Sequence, residues 1–230
     1  MPESALRRIV VVPDLHGCIT VLERLLLKIG FVDADGLVTD SDVTLVQLGD
    51  LVDRGPESKK CVERMMDLQA AAPARVIVLK GNHEDMVLRA EGDFKISRLW
   101  LMECGGGQTL RAYAGCEGLI RFGGAHYAWF KGLPHYWEYQ GVLFCHAGLA
   151  KARKGMIDLE GLLWDRPPVE KGPFRAVVCG HTPTEKGKIE ENRGVWRCDV
   201  GLGRGANEDL VEVLSLEISG ERFVPRILTV

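Results

Sequence analysis

Short β-branched runs, polar loops and amphipathic stretches follow one another three times within the first 90 residues. Residues 9–12, 43–48 and 76–79 are apolar runs rich in Val, Ile and Leu, as buried strands are. Polar loops come next, at residues 14–17, 49–56 and 81–84. Helical patterns then run over residues 20–29, 58–69 and 85–90. In the first, Val21, Leu22, Leu25, Leu26 and Ile29 recur at three- and four-residue steps. In the second, Ser58 is a candidate cap, with Cys61, Val62, Met65, Met66 and Leu68 apolar. The pattern predicts βαβαβ with parallel strands, hence an α/β chain whose ligands gather beyond the carboxyl ends of the strands.

The next stretch, residues 91–139, is less regular. It is broken at Gly105-Gly106-Gly107 and Gly123-Gly124 and carries Trp100, Tyr113, Trp129, Tyr136 and Trp137. A helical, aromatic insert around residues 91–140, packed over one side of the strand ends, is expected. Residues 141–145, 176–179, 195–198, 209–216 and 223–230 read as strands of a second sheet formed mainly by the C-terminal half. No internal repeat, low-complexity tract or linker interrupts the chain. Pro167-Pro168 and Gly172-Pro173 mark a surface loop. One domain over residues 1–230 is the expected organisation, a length sufficient for a full core.

Bulk composition narrows the choice of partner. A net charge of −3 offers no footprint for bulk nucleic acid or an acidic membrane. Seven cysteines, odd in number and without a Cys-x-x-Cys pair, sit largely in apolar runs, as buried thiols of a reducing compartment do. The polar start, residues 1–8, and the short apolar run after it fit neither a signal peptide nor a membrane span. The expected location is the cytoplasm.

Six motifs bring metal-binding and phosphate-binding residue types to the predicted strand ends and loops. They are Asp14-x-His16, Gly49-Asp50-x-x-Asp53-Arg54-Gly55, Gly81-Asn82-His83-Glu84, Cys145-His146-Ala147-Gly148, Trp164-Asp165-Arg166 and Gly180-His181-Thr182. Asp14 and His16 can face one metal if the chain leaves strand geometry there, though the same residues also fit a polar turn. Asp50 has two oxygens and can bridge two metals. Arg54 can grip phosphoryl oxygens bidentately, or pair locally with Asp53. Asn82 offers a neutral oxygen. His83, its neighbour, points elsewhere and suits a proton donor whose other nitrogen Asp53 can hold. His146 and His181 supply the imidazoles that a second metal favours. Arg166 is a second candidate phosphate clamp or a solvated partner of Asp165. His126 and His135 have no acidic neighbours and read as structural. Cys18 and Arg24 have thiol-phosphatase spacing, but the segment between them lacks Gly and reads as helix.

With these motifs the chain resembles the phosphoprotein phosphatase family of metallophosphatases from about residue 8 to about residue 205. The resemblance implies a calcineurin-like, two-sheet β-sandwich flanked by helices. It implies one metal on Asp14, His16 and Asp50, and a second on Asp50, Asn82, His146 and His181. Arg54 and Arg166 would hold phosphate, and His83, paired with Asp53, would be the general acid. The cofactors implied are two divalent ions, manganese first, with iron or zinc as substitutes. Two departures stand out: Pro13 where the family usually has Gly, and a chain lacking the tyrosine-bearing C-terminal loop of the eukaryotic enzymes. Residues 105–110 and Leu133-Pro134 are similar to the small bacterial and phage members.

The expected activity is metal-dependent phosphomonoester hydrolysis, foremost that of a protein serine/threonine phosphatase. Water activated between metals about 3.5–4 Å apart would attack in line with the leaving oxygen. Substrates would be phosphoproteins or small phosphoesters. The alternative is a symmetrical diadenosine tetraphosphate hydrolase, which needs an aromatic for adenine and extra basic residues. Trp129, Lys131 and Tyr136 keep that alternative open.

Overall fold

A computed structural model describes residues 7–150 and 157–230; the first six residues of the polar start lie outside the described residues. The first sheet contains β1 (Arg7–Val12), β2 (Val43–Gln47) and β3 (Val76–Val78), parallel to one another. The intervening helices are α1 (Ile19–Lys28) and α2 (Ser58–Ala71), and α3 (Asn82–Ala90) follows β3. Ser58 does not cap α2 with its side chain. Its hydroxyl instead accepts the Asp53 N–H at 3.1 Å, because the loop before the helix folds back over its first turn.

The aromatic stretch folds as three α-helices, α4 (Phe94–Met102), α5 (Gly106–Ala112) and α6 (Ala125–Gly132), with a single 3-10 turn, Glu117–Leu119, between the last two. Beyond them lie β4 (Tyr136–Tyr139), β5 (Val142–Cys145), the short α7 (Gly161–Trp164), β6 (Ala176–Cys179), β7 (Glu190–Asn192) and β8 (Val195–Arg197). These five strands form the second sheet in the order β4-β5-β6-β8-β7. The last strands, β9 (Glu212–Ser219) and β10 (Arg222–Thr229), do not join it. They extend the first sheet to β10-β9-β1-β2-β3, with β9 antiparallel to β1. Their apolar pattern suits either sheet. Pairing with β1 is a long-range event that no local pattern encodes.

The two sheets pack face to face, and helices or loops cover both outer faces. Along β1, Ile9 and Val11 enter the layer between the sheets, where they meet Val46, Phe144, Val178 and Leu214. Val10 and Val12 point the other way, into the layer beneath α1 and α2. Leu143, Cys145, Val177 and Cys179 line a third cluster, outside the second sheet, with Leu162 of α7. Both faces of the central strands are therefore buried, which is why these strands read as continuous apolar runs. The seven cysteines are free thiols; Cys104 and Cys116 are not buried. No helix of the described residues is long and apolar enough to cross a membrane.

Candidate metal centre

The carboxyl ends of β1, β2, β3, β5 and β6 open onto one crevice. Asp14, His16, Asp50, Asn82, His83, His146 and His181 meet there, each no more than 4% exposed. The backbone is bent sharply to present them. Among the described non-glycine residues, His16, Asp50, Asp53, Arg54 and His181 all have positive φ, between 43° and 74°. Such conformations cost about 1–3 kcal/mol each and persist only where the surroundings impose them. The surroundings here are backbone hydrogen bonds: the N–H groups of Leu15 and His16 both donate to the Asp50 carbonyl, at 3.0 and 2.9 Å. Two glycines allow close approach. A Cβ on Gly180 would overlap Asp14 Oδ1, and one on Gly81 would overlap Asp50 Oδ1.

Asp50 lies between two groups of imidazoles. Its Oδ2 is 3.4 Å from His16 Nε2, and its Oδ1 is 3.4 Å from His146 Nε2. The Asn82 amide oxygen is 2.8 Å from His146 Nε2 and 2.9 Å from His181 Nδ1. His16 Nδ1 donates to the Val52 carbonyl at 2.9 Å and His146 Nδ1 to the Leu48 carbonyl at 2.8 Å. Those bonds leave each Nε2 as the lone-pair nitrogen, that of His146 facing another acceptor, the Asn82 oxygen, and that of His16 facing the Arg54 guanidinium. Burial lowers the pKa of His16, His146 and His181, the last to about 3, so the rings are neutral donors. Burial works against the Asp50 carboxylate too, but the four surrounding imidazoles outweigh it and hold the group ionised. Asp14 accepts the His181 N–H on Oδ2 at 2.9 Å, while its Oδ1 has no hydrogen-bond partner. Burial, then Asp199 and Asp50, raise the Asp14 pKa. Lone pairs and carboxylates without matching donors are unstable in a dry crevice, and divalent cations satisfy them. Asp50, His146 and His181 form one group with metal-ligand spacing; His16, Asp50 and His83 form another. The donor set therefore fits two ions that share Asp50.

His83 is held differently from the other imidazoles. Its Nδ1 lies 2.5 Å from Asp53 Oδ2, so it is already engaged. Burial opposes the charged ring, but Asp50 and then the Asp53 hydrogen bond and charge prevail, and its pKa is raised. Asp53 in turn accepts the Trp100 indole N–H at 2.9 Å and the Thr109 hydroxyl at 2.5 Å. Arg54 makes no pair with Asp53. It places one guanidinium nitrogen against His16 Nε2 and the other 2.8 Å from His83 Nε2. Arg166 is exposed, just past α7, near enough for its charge to lower His181.

Several members of this site escape a reading of the sequence. Glu84, fully buried, accepts the N–H groups of Asp50, Leu51 and Gly81 at 2.8–2.9 Å and so ties the second and third loops together. Trp100 and Thr109 belong to the aromatic stretch, which thus fixes Asp53. Asp199 follows β8 by two residues, and its Oδ2 has no partner. An acidic residue just after a strand-like run was the available signal, the same signal that marks Asp14 and Asp50. The Cys18–Arg24 spacing has no phosphate loop behind it. Burial and Glu208 push the Cys18 thiol up to about 12, and Arg24 pairs with Asp209.

Thr109→Val removes the hydroxyl that Asp53 both receives and uses, with little change of shape. We expect kcat on a phosphoserine peptide to fall about 10–100-fold with KM nearly unchanged, as when a residue orienting a functional side chain is lost. Steady-state kinetics on the folded variant checks this.

The model of the calcineurin-like phosphoesterase family matches residues 7–185. A serine/threonine-protein phosphatase 1 of Salmonella typhimurium is 36% identical over 99 residues, covering 43% of this chain and 39% of that protein. A symmetrical bis(5'-nucleosyl)-tetraphosphatase of Thioalkalivibrio sulfidiphilus is 39% identical over 88 residues, covering 38% of this chain and 28% of that protein. The matched region thus spans well under half the length of either relative. Among solved structures, a cold-active protein-tyrosine phosphatase of a psychrophilic Shewanella superposes over 100% of this chain and 82% of its own, with a TM-score of 0.63 at 19% identity. The fold is shared at that identity, and nothing finer is carried over.

Proposed function

We propose, from the premise that this chain belongs to the calcineurin-like phosphoesterase family, that it is a metal-dependent phosphomonoester hydrolase acting on phosphoserine and phosphothreonine in proteins. The observation that carries the reading is His83, held by Asp53 beside Asp50 and Arg54, because an alkoxide leaving group needs a proton and a nitrophenolate does not. Asp14, His16 and Asp50 would hold one divalent ion. Asp50, Asn82, His146 and His181 would hold the other, with manganese the fitting choice for mixed carboxylate, amide and imidazole donors. When bound, such a pair lowers the pKa of water and neutralises phosphoryl oxygens.

The rest of the chemistry belongs to the chain. Arg54 turns from the two histidines onto the phosphoryl group, and Arg166 approaches the same group from the loop after α7. Both stabilise the charge that builds at the transition state. Once Arg54 is withdrawn, His83 Nε2 is free to carry a proton, and Asp50 and Asp53 favour the charged ring. Asp53 orients the ring and offsets its charge. His83 then passes the proton to the departing serine or threonine oxygen, and no residue is phosphorylated on the way.

A second reading is hydrolysis of a symmetrical dinucleoside tetraphosphate. Tyr136 favours it, being 39% exposed and paired across the sheet with Cys145, next to His146. Trp129 speaks against it, since its indole is committed to Gln69 at 2.9 Å and packs on the core. Turnover of a phosphoserine peptide, para-nitrophenyl phosphate and diadenosine tetraphosphate, each with manganese and after exhaustive chelation, decides between them. The peptide should be turned over with manganese and not after chelation. Strong preference for the dinucleotide would overturn the leading reading, and chelator-insensitive activity would remove the metals from it.

A further inference from the structure

Next to the metal donors lies a cavity of about 660 Å³ that the proposed reaction does not use. Such a volume is typical of sites that enclose a ligand group. Its walls grow directly out of the candidate site. Residues 183–188, one wall, begin two positions after His181; residues 200–207, another, begin just after Asp199. The Thr184 N–H donates to the Asp199 carbonyl at 2.9 Å, and the Gly201 N–H donates to Asp199 Oδ1 at 2.8 Å. Gly203 backs so closely onto the first loop that a Cβ there would lie 2.7 Å from His16 Cβ. The cavity and the metal crevice therefore share a wall.

The lining has a defined chemistry. Val200, Ala206 and Leu210 give an apolar floor, and Leu210 is 66% exposed on it. Lys186, Lys188 and Arg204 supply three cations. Glu212, the one acidic lining residue, accepts the Ile189 N–H at 2.9 Å and stands 3.9 Å from Lys188, and Arg204 is near enough to Asp199 behind the wall for its charge to lower that carboxyl. Positive charge is in excess. Thr184 is 5% exposed, and its hydroxyl has no hydrogen-bond partner, an unusual state for a buried polar group that lines a cavity. The lining contains no aromatic side chain, so a nucleobase would find nothing to stack on.

The geometry points to this cavity as a docking site for an acidic side chain of the substrate polypeptide, a residue flanking the phosphoserine held at the metals. Lys186, Lys188 and Arg204 would receive its carboxylate or second phosphoryl group, with the apolar floor under its methylenes. This inference rests on the protein-phosphatase reading and adds a sequence preference to it: phosphoserine set among acidic residues.

The test compares two phosphoserine peptides of equal length, one flanked by glutamates and the other by glutamines at the same positions. Wild type should show a KM about tenfold lower for the glutamate peptide, since exposed charge pairs contribute up to about fivefold each. The kcat values should be similar. Raising salt from about 0.05 to about 0.5 M should shrink the preference. The double variant Lys186→Ala/Lys188→Ala should bring the two KM values to within about twofold, while para-nitrophenyl phosphate turnover reports an intact metal site. Equal KM values in wild type, or a preference that survives in the double variant, would overturn the docking site. So would a double variant that loses diadenosine tetraphosphate turnover while keeping its peptide preference. Turnover of para-nitrophenyl phosphate with neither peptide cleaved would overturn the protein-phosphatase reading itself, and the docking site with it.

Discussion

Asp50→Asn is expected to lower kcat by about three orders of magnitude or more while leaving the protein folded. The side chain keeps its size, and an amide oxygen still accepts the His83 N–H that Asp50 Oδ1 now receives at 3.0 Å. What is lost is the negative charge between His16 and His146, each 3.4 Å from one of the two carboxylate oxygens. An amide presents one oxygen and no charge, so it cannot bridge two cations as a carboxylate does. Loss of one transition-state interaction of this kind typically costs about 10²–10³ in kcat, and Asp50 serves both ions. In the absence of metal a modest loss of stability is expected: Asp14, Glu84 and Asp199, whose pKa values Asp50 helps to raise, are relieved, but the imidazoles that lower the Asp50 pKa lose their partner. Paired measurements check this: kcat with saturating manganese, and thermal unfolding of the metal-free variant against metal-free wild type. Near-wild-type kcat would remove Asp50 from its role.

His83→Asn is expected to discriminate between leaving groups. For a phosphoserine peptide the departing oxygen is a strongly basic alkoxide, and losing a positioned proton donor should lower kcat by about 10²–10⁴-fold. For para-nitrophenyl phosphate the leaving group is stable without protonation, and the loss should be about tenfold or less. An equal drop on both substrates would mean that His83 supports the metals or the fold instead of donating a proton. His83 is 2.5 Å from Asp53, so Asp53→Asn should reproduce the same split in weaker form.

The parts of the fold legible in the sequence are those set by local pattern. β1, β2 and β3 show as apolar runs because both faces of the first sheet are covered, by the second sheet on one side and the helices on the other. The donors show because each follows such a run within a few residues, where a parallel strand delivers its loop to the crevice. Pairing was not legible. β9 and β10 read as strands but carry no mark of which sheet they complete; β9 closes on β1, and β10 pairs with β9 at the edge. The supports of the site were hidden for the same reason. Glu84 reaches back 33 and 34 residues to Leu51 and Asp50, Trp100 reaches 47 residues to Asp53, and Thr109 reaches 56. A Trp and a Thr in an aromatic, glycine-broken stretch look like packing, and packing is part of what they do. The N–H groups that anchor the first loop belong to Leu15 and His16, so Pro13 removes neither of them.

The most direct measurement is a crystal of the protein grown with manganese and recorded at a wavelength where manganese scatters anomalously. Two difference peaks should appear on either side of Asp50. One should be ligated by Asp14 and His16, the other by Asn82, His146 and His181. A single peak, peaks away from Asp50, or no peak from protein that is nonetheless active would contradict the shared-carboxylate centre.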